Sequence, residues 1–231
     1  DSNLGILRTY YELGARYLTL THSRNTPRAD SSGDKPQHNG LTDFGRQVVR
    51  EMNRLGMMVD ISHASDKAFY DALETSTAPL IASHSSCRRF SPHPRNMTDD
   101  MLRALAKKGG VVHINYYAGF LDGDFNQRYE ALKEENARET KIDAELANQP
   151  RRRSQEQRKL SAARLAKLGR PPLSRLLDHF EHAAQVAGVD HVGLGSDFDG
   201  VSDLLPAGME DISKTPNLVR GLLERGFSDD D

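Results

Sequence analysis

Apolar positions along the chain fall into short β-forming runs separated by stretches with helical spacing. Leu4, Leu7, Tyr11 and Leu13 mark one face of an opening helix, with Asn3 as its cap and Gly14 as its stop. Tyr17 to Thr21 reads as a strand running into His22. The Ser/Asn/Pro/Asp/Gly-rich loop that follows, Ser23 to Gly40, is by composition too polar to pack. Thr42 or Asp43 starts a helix in which Phe44, Val48, Val49, Met52 and Leu55 recur at i, i+4, i+5, i+8 and i+11 until Gly56. The rhythm then repeats as strand Met57 to Ile61, helix Ser65 to Glu74, strand Leu80 to Ala82, helix Thr98 to Lys108 and strand Val111 to Tyr116. A last helix begins at Pro172, carries Leu173, Leu176, Leu177, Phe180 and Val186, and ends at Gly188; strand Val192 to Leu194 leads to Ser196 and Asp197.

Strands alternating with helices of this length predict an α/β chain of five parallel strands, because a crossover helix is the short route between parallel neighbours. Residues 122–170 break the rhythm. They are dense in Arg, Lys, Glu, Asp, Gln and Ala, carry Arg151, Arg152 and Arg153 after Pro150, and read as a solvated helical pair inserted in one domain spanning 1–231. Acidic neighbours nearly cancel that basic cluster and no aromatics interleave it, so it gives no basis for a nucleic-acid partner. The whole chain is equally balanced, with 31 Lys+Arg against 33 Asp+Glu and a formal net charge of -2. No run approaches the roughly 18 apolar residues of a membrane span, and no basic-then-apolar leader opens the chain. The single cysteine, Cys87, cannot form an internal disulfide and is expected to be buried as a small apolar residue. Localisation is left open.

Three strands end alike, with apolar residues followed by histidine: His22, His63 and His84. In a parallel β/α barrel the C-terminal strand ends converge on one pocket, so residues distant in sequence meet there. Neutral imidazole is a common zinc ligand, and His63 and His84 are the candidate metal pair. Asp197 ends a fourth strand at the same mouth, where a carboxylate can accept the proton of a metal-activated water. Asp199 reads as a turn residue, and Asp60, inside its strand, as a group supporting the ligands from behind or a buried hydrogen-bonding group. The basic loop Ser85 to Asn96 offers a guanidinium able to clamp a substrate carboxylate. His113 is expected in the core or just behind the ligands rather than as a ligand itself, and His38, His93, His179, His182 and His191 carry no comparable placement.

On the segments Arg16 to Asn25, Asp60 to Ser65, Ser83 to Ser86, Pro94 to Asn96 and Gly195 to Gly200, the chain resembles the membrane (renal) dipeptidase family of zinc peptidases. The resemblance covers nearly everything but the charged insertion. It implies a TIM-like (β/α)8 barrel of which about five C-terminal βα units are present, and a centre of two zinc ions for which His63 and His84 supply ligands. It further implies that His22 contacts the substrate or the transition-state oxygen, that Arg95 holds the substrate carboxylate, and that Asp197 handles protons. The family's remaining ligands, a His-x-Asp pair and a bridging glutamate, are expected ahead of Asp1, so the chain reads as a fragment. The implied partner is a dipeptide, and a homodimer is compatible with the resemblance. Two other readings stay open: hydrolysis of another amide, ester or lactone on the same barrel, and a catalytically silent binding or scaffold product.

Overall fold

The computed structural model describes residues 3–201 and 203–231. In chain order the elements begin with α1 (Leu4–Glu12), β1 (Tyr17–Thr19), α2 (Asp43–Leu55), β2 (Met58–Asp60), α3 (Asp66–Thr75), β3 (Leu80–Ser85), α4 (Asp99–Lys107) and β4 (Val111–Ile114). They continue with α5 (Ala118–Leu121), α6 (Gly123–Glu130), α7 (Lys133–Glu145), α8 (Pro150–Leu168), α9 (Leu173–Ala187), β5 (Val192–Leu194) and α10 (Thr215–Glu224). The helix starts have local causes. Thr42, Ser65 and Thr98 each turn a hydroxyl onto a backbone N–H three residues on, at 3.0, 3.2 and 3.2 Å, satisfying a donor the helix cannot satisfy itself. Gly56, at φ 76°, ends α2 in the left-handed conformation that glycine adopts without penalty.

The five strands pair in parallel in the order β1-β2-β3-β4-β5, each beside its sequence neighbour. A doubly wound sheet reverses its order at a switch point; a sheet that steps in one direction is the arrangement of a β/α barrel wall. Val59, Leu80, Ala82, Val112 and Ile114 from the strands and Val49, Met52, Phe69, Leu102, Leu105 and Leu176 from the helices are buried in one core. β1 and β5 are the open edges, where Tyr17 and Leu194 remain exposed. No helix among the described residues is long and apolar enough to cross a membrane.

Four expectations change. Strand β3 runs through His84 to Ser85, so this histidine sits within the strand, at an irregularity in the β3–β4 register between Ala82 and Ser85. The Ser23 to Gly40 loop does pack: Ala29, Asp30 and Ser31 are buried, and the Asp30 carboxylate accepts the N–H groups of Gln37, His38 and Gly40, each at 3.0 Å. Polar composition misled there because the polar groups satisfy one another. Residues 122–170 form three helices, α6 to α8, and are only partly solvated. Phe125, Tyr129, Ile142, Leu160, Ser161 and Arg164 are buried, with Phe125 and Tyr129 in a second small core beside Ala118 and Leu204. Finally, α10 follows β5 and packs on α9, where the sequence pattern had stopped at Asp197.

Candidate active site

The strand ends bring the three histidines together. The ring centroids of His22 and His63 lie 4.4 Å apart, those of His63 and His84 4.9 Å, and the Nε2 atoms of His63 and His84 approach to 2.9 Å. His63 stands at φ 67° and Asp197 at φ 65°, conformations uncommon for residues with a side chain. Such outliers persist where the surroundings hold them. The Ser32 N–H donates to the His63 carbonyl at 2.8 Å, while the Ser31 hydroxyl donates to the His22 carbonyl at 2.5 Å. The packed loop thus fixes two of the histidines from one side.

Burial, reinforced by the Arg95 guanidinium, pushes His63 down to about 2 and lowers His84 below the ordinary imidazole value. Both rings are therefore neutral and can present lone pairs. Two nitrogens on one tetrahedral zinc, with bonds of roughly 2.0–2.1 Å, stand about 3.3 Å apart. The 2.9 Å separation is a hydrogen-bond distance about 0.4 Å short of that span, so this neutral donor pair fits a shared metal ion once the rings part slightly. Among the described residues no cluster of three or more His, Cys, Asp and Glu is placed to hold a metal ion.

Arg95 lies directly against this pair. Its Nη2 donates to the His84 carbonyl at 3.0 Å, its Nη1 reaches Ser85 Oγ at 3.4 Å, and the guanidinium sits 5.4 Å from the Phe120 ring centroid. The residue is 8% exposed, its Nε has no partner, and it pairs with no carboxylate among the described residues. Burial lowers it to about 10 despite Asp197 and Asp60, which pull the other way. Asp197 accepts from the Asn115 side-chain amide at 3.0 Å, and Asn115 is fully buried. Gly200 closes the turn beneath Asp197; a Cβ there would meet Asp197 Oδ1 at 2.1 Å.

His22, His63, His84, Arg95 and Asp197 line one cavity of about 300 Å³. Asp199 is exposed and outside it. Cys87 is buried, its thiol pushed up to about 12, which leaves no nucleophile there. His113, half-buried, contacts the Ala82 carbonyl through Nδ1 at 3.0 Å within the sheet and does not line the cavity. The opposite wall was missed by sequence reasoning: Tyr117, Phe120, Tyr129, Glu139 and Ser161 also face the cavity, the last three from the insertion. Asn115 was missed as well, since an asparagine after an apolar run carries no signal of its own.

Comparison with known proteins bears directly on this arrangement. The profile of the membrane dipeptidases, peptidase family M19, matches residues 1–231. The chain belongs to this family. An uncharacterised dipeptidase of Schizosaccharomyces pombe is 39% identical over 229 residues, which cover 97% of this chain and 44% of that protein. Dipeptidase 3 of Rattus norvegicus is 37% identical over 234 residues, covering 99% of this chain and 39% of the relative. This M19 chain thus spans about half the length, or less, of the curated relatives it matches. Among solved structures, the probable dipeptidase PvdM of Pseudomonas aeruginosa superposes with a TM-score of 0.78 at 26% identity, over 99% of this chain and 62% of that one. A metallo peptidase of Rhodobacter sphaeroides, solved with a phosphinate mimic of the dipeptide L-Ala-D-Ala, gives 0.74 at 29% identity, over 99% and 55%.

Proposed function

We propose that this M19 chain carries the C-terminal strand ends of a zinc dipeptidase site, within one partial barrel domain that holds 122–170 as an insertion. The observation that carries the reading is the buried guanidinium of Arg95, salt-bridged to no carboxylate among the described residues, in the same cavity as the converging His63 and His84. A buried cation with no carboxylate in direct contact is unfavourable unless an anion arrives, and a dipeptide brings one at its C-terminus. His63 and His84 would hold zinc, part of a centre of two ions whose other ligands lie outside these residues. When bound, the metal lowers the pKa of water toward about 7 and polarises a carbonyl.

The remaining chemistry falls to the chain's own side chains. Arg95 holds the substrate carboxylate and so sets where the scissile carbonyl lies. His22 donates a hydrogen bond to the carbonyl oxygen as negative charge develops on it. Asp197, oriented by Asn115, takes a proton from the attacking water and returns it to the departing nitrogen. The water oxygen joins the carbonyl carbon, the C–N bond breaks, and the proton leaves with the amine.

Arg95→Ala tests this. Losing a buried partner of a substrate charge costs about 2–5 kcal/mol, so kcat/KM for a free dipeptide should fall about 100-fold, while a C-terminally amidated dipeptide should be little affected. An equal loss for both would sink the carboxylate clamp and favour another amide, ester or lactone. Absence of bound zinc and of turnover in the unsubstituted protein would favour the silent binding product.

A further inference from the structure

Hydrogen-bonded to the neighbour of His84 is a buried group that the proposed reaction does not use. Asp60, at the end of β2, is fully buried, and four donors saturate its carboxylate. Oδ1 accepts the backbone N–H groups of Ser62 at 3.0 Å and Ser83 at 2.9 Å. Oδ2 accepts the hydroxyls of Thr19 from β1 and Ser83 from β3, both at 2.6 Å. Ser83 Oγ in turn lies 2.7 Å from His84 Nδ1. The irregular register between Ala82 and Ser85 accompanies this contact between neighbouring side chains of one strand.

The direction of this chain follows from proton counting. An ionised carboxylate can only accept, so the single proton of the Ser83 hydroxyl goes to Asp60, leaving Ser83 Oγ as an acceptor. It must then receive a proton from His84 Nδ1. We propose that Asp60 and Ser83 are positioning residues that hold His84 as the Nδ1–H tautomer, leaving the Nε2 lone pair aimed at His63 and the metal position. The purpose of the relay rests on the reading of His84 as a metal ligand; its geometry does not.

Asp60→Asn is the decisive variant because it keeps shape while reversing polarity. The two backbone N–H groups cannot turn round, so the amide oxygen must face them and the amide NH2 must face the two hydroxyls. Ser83 would then accept from the introduced amide and donate to His84 Nδ1, moving the ring proton to Nε2. Nitrogen NMR of the metal-free chain, with His84 assigned through His84→Ala, reads the tautomer; chelator competition reads zinc affinity. The unsubstituted chain should show Nδ1–H and Asp60→Asn should show Nε2–H, with zinc affinity weakened about 10–100-fold. Ser83→Ala should equalise the tautomers and Ser83→Thr should restore Nδ1–H, which decides the matter should Asp60→Asn not fold. An Nδ1–H ring and unchanged affinity in Asp60→Asn and Ser83→Ala, with zinc lost in His84→Ala, would overturn the relay alone. Unchanged zinc affinity in His84→Ala would overturn the metal reading and, with it, the relay's purpose.

Discussion

The two walls of the cavity are built on different principles. On the strand-end side, buried polar groups are bound repeatedly: Asp60 takes four donors, Asp30 takes three backbone N–H groups, and His63 and Asp197 are held at positive φ. On the insertion side, α7 and α8 begin without a side-chain cap, at Leu132 and Gln149. The largest side chain buried there is Arg164, which reaches Glu139 at 3.0 Å and Asn136 at 2.7 Å through Nη2 while Nε and Nη1 go unpartnered. One wall is over-determined and the other loosely determined. In the proposed reaction the chemistry falls to the first wall, and substrate fit assigned to the second could vary without disturbing it.

A carboxylate removed from the strand-end wall should therefore be costly. Asp30→Ala strands three N–H groups at a site only 1% exposed, and each unsatisfied buried group costs roughly 1–3 kcal/mol. A loss of about 4 kcal/mol in denaturant unfolding is expected. A loss below about 1 kcal/mol would show that the loop holding His22 and His63 is not built around Asp30.

The next effect is a pH dependence. His179 on α9 accepts the Cys87 N–H through Nδ1 and donates to the Leu121 carbonyl through Nε2, both at 3.0 Å, tying down the segment just after β3. Burial pushes His179 down to about 4. Between pH 4 and the ordinary imidazole value near 6.5, the unfolded chain binds this proton and the folded chain does not, so stability rises with pH. The contribution is complete above about 6.5 and is lost as pH falls through about 4, amounting to about 3 kcal/mol. His179→Gln should flatten the slope of unfolding free energy in that window by up to about 1.4 kcal/mol per pH unit. An unchanged slope would mean that His179 titrates freely in the folded chain.

What was legible in the sequence follows the same division. Strand-end histidines, hydroxyl caps at Thr42, Ser65 and Thr98, and helical spacing in α2 and α9 are local patterns, and burial of one face against a sheet reproduces them in space. The cavity positions of Glu139 and Ser161 were not legible, because α7 and α8 are charged nearly all round and nothing local marks which face meets the strand ends. Asp60 could be read as a buried hydrogen-bonding group. Its link to His84 could not, since it depends on an irregularity in β3 that puts Ser83 Oγ beside the ring of its neighbour.

The smallest effect is expected at an exposed carboxylate of α7, the helix that carries Glu139 of the second wall. Glu145 on α7 lies 3.8 Å from Lys141, four residues before it, with the two side chains 63% and 73% exposed. Water screens such a pair and holding two long side chains together offsets the attraction, so Glu145→Gln should change stability by less than about 0.5 kcal/mol. Added salt should leave that small difference smaller still. Set against Asp30→Ala, the ratio measures how unevenly the two walls are determined. A Glu145 effect comparable with that of Asp30 would mean that the insertion is held as tightly as the strand ends, and the division of labour between the walls would have to be abandoned.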